Sequence, residues 1–212
     1  MKKLYILLII CLTGTGCTIV PQARTPVSIY DFGIQQDSKT QSIPTQQQEL
    51  WSSLLISEAK SPVWLNSQSI QYRLAYLDPT QSYTYANSRW AAAPATLLTH
   101  RIRNHISAVT NDKVISTSDG TRTDFMLRLE LEEFSQVFDT VDTSHVVIKL
   151  RASLVHRSSR LLKAQRDFNI EQATPTANAA GAVQALTKAS NQLTENLIAW
   201  LVEELRTEKK RN

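Results

Sequence analysis

Apolar and polar positions alternate along several stretches of this chain and recur at helical spacing along two others. Phe125, Leu127, Leu129 and Leu131 alternate with Met126, Arg128, Glu130 and Glu132, and Phe134 and Phe138 then continue on the other parity. Strand side chains point to opposite faces in turn, so one extra residue is needed to keep both sets inward. A β-bulge near Glu132 and Glu133 is the expected device. Val146, Ile148, Leu150, Ala152 and Leu154 alternate next, Arg157-Ser-Ser-Arg160 reads as a turn, and Leu162, Ala164, Phe168 and Ile170 fit a return strand. Three such strands in succession predict an antiparallel meander.

The helical period appears from Pro94, where Ala95, Leu98, Ile102, His105, Ile106 and Val109 share one face and His100, Arg101 and Arg103 the other. Proline suits a first helical turn because its missing donor would be unpaired there anyway. A second, longer helix is predicted over residues 176–206, with Val183, Leu186, Ser190, Leu193, Leu197, Trp200 and Leu201 as its apolar stripe. Pro175 precedes it, and the basic residues after Arg206 suit a helix C-terminus.

The first half is less regular. Residues 27–32 alternate and stop at Gly33, residues 50–56 suggest a second strand, and the Gln-, Ser- and Thr-rich stretch 37–49 between them cannot contribute much core. Pro62-Val-Trp-Leu65 reads as a sheet edge or loop corner. Ile70, Tyr72, Leu74 and Tyr76 share a parity opposite Gln71 and Arg73, a half-buried strand that turns at Asp78-Pro79. Residues 83–98 join the two periods: Tyr83 and Tyr85 alternate with Thr84 and Ala86, Arg89 and Trp90 follow, and a small-residue passage leads into the helix at Pro94. The predicted class is α+β: a largely antiparallel sheet with a C-terminal meander and two main helices packed on one face. A single domain over residues 27–212 is expected.

The N-terminus reads as an export signal rather than as part of the fold. Lys2 and Lys3 precede a short apolar run at residues 4–12, and small residues lead to Cys17. The run is shorter than the roughly 20 residues a membrane-spanning helix needs. Cleavage before Cys17 would remove residues 1–16, take Cys11 with them and lower the formal charge from +4 to +2. Nucleic-acid binding then loses its main support, and a tether over residues 17–26 would lead to the domain. Of the five glycines only Gly33, Gly120 and Gly181 would remain, too isolated for a phosphate-binding loop or a dinucleotide turn. His100 and His105 stand about 140° apart around a helix, a poor pair of metal ligands. Ser88 has no placed base, no nucleophile elbow occurs, and Glu130, Glu132 and Glu133 read as a solvated strand face rather than an acid/base pair. No enzyme, cofactor or metal is expected.

The small residues before Cys17 resemble the lipobox of bacterial lipoproteins, with Gly14 where that motif usually carries an aliphatic residue. The resemblance makes Cys17 the acylated residue and, with Thr18 rather than Asp after it, the outer membrane the destination. Further along, Tyr30-Asp-Phe-Gly33, Pro62-Val-Trp-Leu-Asn66, Ile70-Gln-Tyr-Arg-Leu74, Tyr85-Ala-Asn-Ser-Arg-Trp90 with the Ala-rich run to Leu98, residues 127–139 and Gly181-Ala-Val-Gln-Ala-Leu186 together resemble the ABC-type transport auxiliary lipoproteins, including the PqiC-like members. The resemblance implies a non-enzymatic, lipid-anchored component of an intermembrane lipid transport system. Its partners would be an MCE-type tunnel protein and that protein's membrane permease, and it would act as a homo-oligomer, a ring being the natural receptor for a tunnel end. A pilotin-like assembly lipoprotein is the alternative. Tyr83, Tyr85, Arg89 and Trp90 are candidate partner or oligomer contacts, since Tyr, Trp and Arg dominate binding hot spots. Equally open is that Trp90 fills the core while Arg89 pairs with a strand carboxylate.

Overall fold

In chain order the elements are β1 (Ser28–Tyr30), β2 (Leu54–Ile56), a 3-10 turn (Val63–Leu65), β3 (Ser69–Leu74), β4 (Asp78–Trp90), α1 (Pro94–Thr110), β5 (Val114–Ser116), β6 (Phe125–Phe138), β7 (Ser144–His156), β8 (Leu162–Ala173) and α2 (Ala179–Lys209). The computed structural model describes residues 26–33, 53–110, 114–116 and 122–209. The export segment with Cys17 and the polar stretch 37–49 lie outside them.

β6, β7 and β8 form the predicted antiparallel meander, paired from Phe125↔His156 to Phe138↔Ser144 and from His145↔Ala173 to Val155↔Leu162. The bulge falls where the parity change requires it: the register slips between Leu131 and Glu133, and Leu131 and Phe134 are both buried. A second slip, between Leu154 and Val155, leaves Lys163 out of register. It turns Leu162 to solvent, against the expectation that it faces inward with Ala164, Phe168 and Ile170.

The other edge of β6 is shared end to end. β2 runs parallel to its first half (Leu54↔Phe125), Lys60 bridges Glu130, and β3 runs parallel to its second half (Gln71↔Ser135). The intervening excursion holds the 3-10 turn, so Val63–Leu65 is a helical corner rather than a sheet edge. β4 pairs antiparallel to β3, β1 adds parallel to the end of β4, and β5 adds parallel to β2. The sheet is therefore mixed: its long ladders are antiparallel, and the parallel pairings are short. β3 ends at Leu74 and Tyr76 belongs to the following turn, where the Leu77 amide donates to the Leu74 carbonyl at 3.0 Å.

Both helices contribute to one core. Leu98, Ile102 and Ile106 of α1, with Leu186, Leu193, Leu197 and Leu201 of α2, pack with the inward residues of β2, β6 and β7. Thr99 and Arg103 reach the interrupted edge beside β2: the Thr99 hydroxyl accepts from the Ala59 amide at 3.0 Å, and the Arg103 guanidinium donates to the Ile56 carbonyl at 3.0 Å. The helix thereby satisfies backbone groups that a continuous neighbour strand would have paired. α2 starts at Ala179 rather than Thr176, because Asn178 caps it by accepting from the Gly181 amide at 2.9 Å. Gly181 has no room for a side chain, since a Cβ would sit 2.0 Å from the Thr176 carbonyl oxygen.

Candidate functional site

Trp90 ends β4 and turns into the core with 1% of its surface exposed, meeting Phe32 and Phe134 edge-on at 5.7 Å each. Its backbone is fixed on both sides: the Trp90 amide donates to the Gln68 carbonyl and the Ala91 amide to the Tyr30 carbonyl, both at 2.7 Å. Trp90 is therefore a packing residue, which removes it from the candidate contact surface. Its burial is favourable because an indole removes a large apolar area from water.

Arg89 lies on the opposite face and is exposed, in register with Ile29 of β1 and Ser69 of β3. Among the described residues no carboxylate pairs with it, so the half of the core reading that pairs Arg89 with a strand carboxylate is not seen there. The strand arginines that do pair are Arg73, with Glu133 at 3.7 Å, and Arg151, with Glu132 at 3.3 Å and Asp167 at 2.8 Å. The buried arginine is Arg101, which the helical period had placed on the polar face. Its guanidinium donates to the Phe32 carbonyl at 2.7 Å and to the Asn191 side-chain oxygen, and lies 5.1 Å from the centre of the Phe32 ring. Burial lowers its pKa, and Asp31 acts in the opposite direction. No local pattern in α1 announces this, since its partners come from residue 32 and from α2.

Tyr83 and Tyr85 flank a tyrosine of the neighbouring strand. Tyr72 stacks on Tyr83 at 5.4 Å, tilts against Tyr85 at 4.8 Å and meets Phe138 edge-on at 5.7 Å. Tyr85 is half-buried, and its hydroxyl donates to the Gln136 side-chain oxygen at 2.6 Å. The Gln136 amide donates in turn to the Ser144 hydroxyl at 2.7 Å, and Ser144 contacts the Thr174 hydroxyl at 2.6 Å. This chain of polar groups joins β4, β6, β7 and the end of β8. Desolvation, helped by Tyr72, pushes the Tyr85 phenol up to about 12. Tyr83 stays more exposed and donates to the Gln81 side chain.

A break in register opens a cleft beside these residues. Between the pairs Ser69↔Arg89 and Gln71↔Thr84 the two strands advance unequally, and β4 carries the surplus residues. That bulge borders a cleft of about 310 Å³ lined by Val27, Gln68, Ser69, Tyr85, Ala86, Ser88 and Arg89. The structure thus brings Tyr85 and Arg89 to one cleft, keeps Tyr83 beside it, and sends Trp90 through the sheet. Its donors suit polar contacts. A neutral phenol, an arginine and two hydroxyls do not make a nucleophile–base pair. Among the described residues no cluster of His, Cys, Asp and Glu is arranged to hold a metal ion, and no helix is long and apolar enough to cross a membrane.

The mixed sheet and the two helices that share its core define an α+β domain. The chain belongs to the family of ABC-type transport auxiliary lipoprotein components, whose model matches residues 30–198. That family is one of transport auxiliaries rather than of enzymes, and its lipoprotein character implies a membrane-anchored place in the cell envelope. The fold is similar to that of a Xanthomonas campestris protein, with 19% identity and a TM-score of 0.66 over 75% of this chain and 88% of that one. It is also similar to a second solved protein, with 17% identity and a TM-score of 0.63 over 84% and 99% of the two chains. No curated protein matches the chain.

Proposed function

We propose that this protein is exported, cleaved after Gly16 and acylated at Cys17, and that residues 17–26 tether the domain to the periplasmic face of the outer membrane. There it docks the end of a periplasm-spanning MCE-type tunnel whose permease sits in the other membrane, as one station in the movement of phospholipid between them. The observation that carries this reading is the family match across residues 30–198. Tyr83, Tyr85 and Arg89, on and beside the β4 cleft, form the contact surface, either to the tunnel protein or to the next copy in a ring of identical subunits.

Co-purification from detergent-solubilised envelope tests the partner directly: an MCE-domain protein and bound phospholipid are expected, and a different envelope machine would displace the reading. Fractionation tests the anchor separately. Cys17→Ala is expected to leave the membrane fraction, and its retention there at wild-type level would refute acylation. Crosslinkers placed at Tyr83 and Arg89 should capture the tunnel protein or a second copy.

A further inference from the structure

The two ends of the sheet differ in charge, and the β7–β8 end combines cations with exposed leucines. The hairpin is closed by the His156 amide donating to the Leu161 carbonyl at 2.9 Å, and Leu161 and Leu162 are 66% and 57% exposed. Arg157 and Arg160 lie in the turn, and Lys163 follows Leu162 with its ammonium 5.6 Å from the centre of the Phe125 ring. Arg122 lies close by, since the Arg157 backbone and side chain bond to the Asp124 carbonyl and the Thr123 hydroxyl, both at 2.9 Å. Asp124, the carboxylate of this neighbourhood among the described residues, is engaged by the Ser53 hydroxyl and amide. The opposite end carries Asp78, Asp139 and Asp142 around Leu77 and Val141.

Arg160 adds a third observation. It has a φ of 58°, and it is the one non-glycine residue at positive φ among the described residues. A glycine would occupy that position with less strain, so the turn keeps a cation at a conformational cost.

We propose that the β7–β8 hairpin is a membrane-docking element that inserts Leu161 and Leu162 into the interface of a bilayer containing anionic phospholipid, with Arg160 and Arg122 against the phosphates. Adjacent exposed apolar side chains at a hairpin end can enter a deformable lipid interface, and surrounding cations add attraction to anionic lipid. The acidic far end is repelled by the same surface, so contact orients the sheet. This reading is independent of the tunnel-docking proposal and stands or falls without it.

The test uses the chain from residue 17 onward, which contains every described residue, with Cys17→Ser so that no acyl group contributes. It is sedimented with vesicles of phosphatidylcholine alone or mixed with phosphatidylglycerol. Binding to the mixed vesicles only, weakening as salt rises, is expected. Arg160→Gly should weaken it about fivefold, the worth of one cation near the surface, while thermal stability is maintained or raised. Leu161→Ser combined with Leu162→Ser should weaken it roughly tenfold or more. Absence of binding, equal binding to both vesicle types, or wild-type binding by both variants would overturn the proposal.

Discussion

Arg101 is a cation enclosed by the core and tied to two elements that do not touch its own helix in sequence. Its guanidinium meets the Phe32 carbonyl, the Phe32 ring and Asn191 of α2. Replacing it with Met would leave two acceptors without donors, at a cost of about 2–3 kcal/mol. Urea unfolding of Arg101→Met should show that loss as a lower midpoint, whereas Arg89→Met, on the exposed face, should leave stability nearly unchanged. Tyr85 makes a pH-dependent contribution of known sign. Its phenol is held at about 12 in the fold against about 10 in an unfolded chain. The fold therefore favours the neutral phenol. That contribution is fully present below pH of about 10 and is lost as pH rises through about 12. Ultraviolet titration of tyrosinate should show a late-titrating phenol that is lost in Tyr85→Phe, and that variant should lose the corresponding alkaline slope in stability.

At the scale of elements, the start of α2 reverses the usual effect of a helical glycine. Glycine inside a helix normally costs about 0.5–1 kcal/mol relative to alanine. Here a Cβ at position 181 would collide with the Thr176 carbonyl, 2.0 Å away. Gly181→Ala should therefore lower the melting temperature, while Asn178→Ala, which removes the cap and the acceptor of the Thr176 hydroxyl, should cost about 1 kcal/mol. A melting temperature raised by Gly181→Ala would mean that the Thr176 turn moves freely. The β6 bulge was legible because a change of hydrophobic parity within one strand admits few solutions. The bulge at Lys163 was not, because a single displaced leucine at a strand start leaves no periodic trace. The 3-10 turn at Val63–Leu65 and the in-line placement of β2 and β3 were equally silent, since pairing partners far apart in sequence decide them.

Across the whole molecule, one core joins both helices to the sheet, and it contains Trp90 beside Phe134 as well as Trp200 beside Phe168. A shared core predicts a single cooperative transition. Tryptophan fluorescence and far-ultraviolet circular dichroism should give coincident denaturation curves, and separated curves would show that the meander and the β1–β4 region unfold independently. The hydrophobic periods alone determined the meander, both helices and the α+β class, because burial imposes a period of two on strands and of 3.6 on helices whatever the fold around them. The 83–98 corner stood out in the sequence as well, but its division of labour did not. Trp90 and Arg89 are neighbours in the chain, and strand geometry sends them to opposite faces. Which face is core was settled by Phe32, Phe134 and the two helices. In the same way, only the tertiary structure placed Tyr85 and Arg89 on one cleft and gave Arg101 its buried partners. Those contacts join residues tens of positions apart, and no local pattern encodes them.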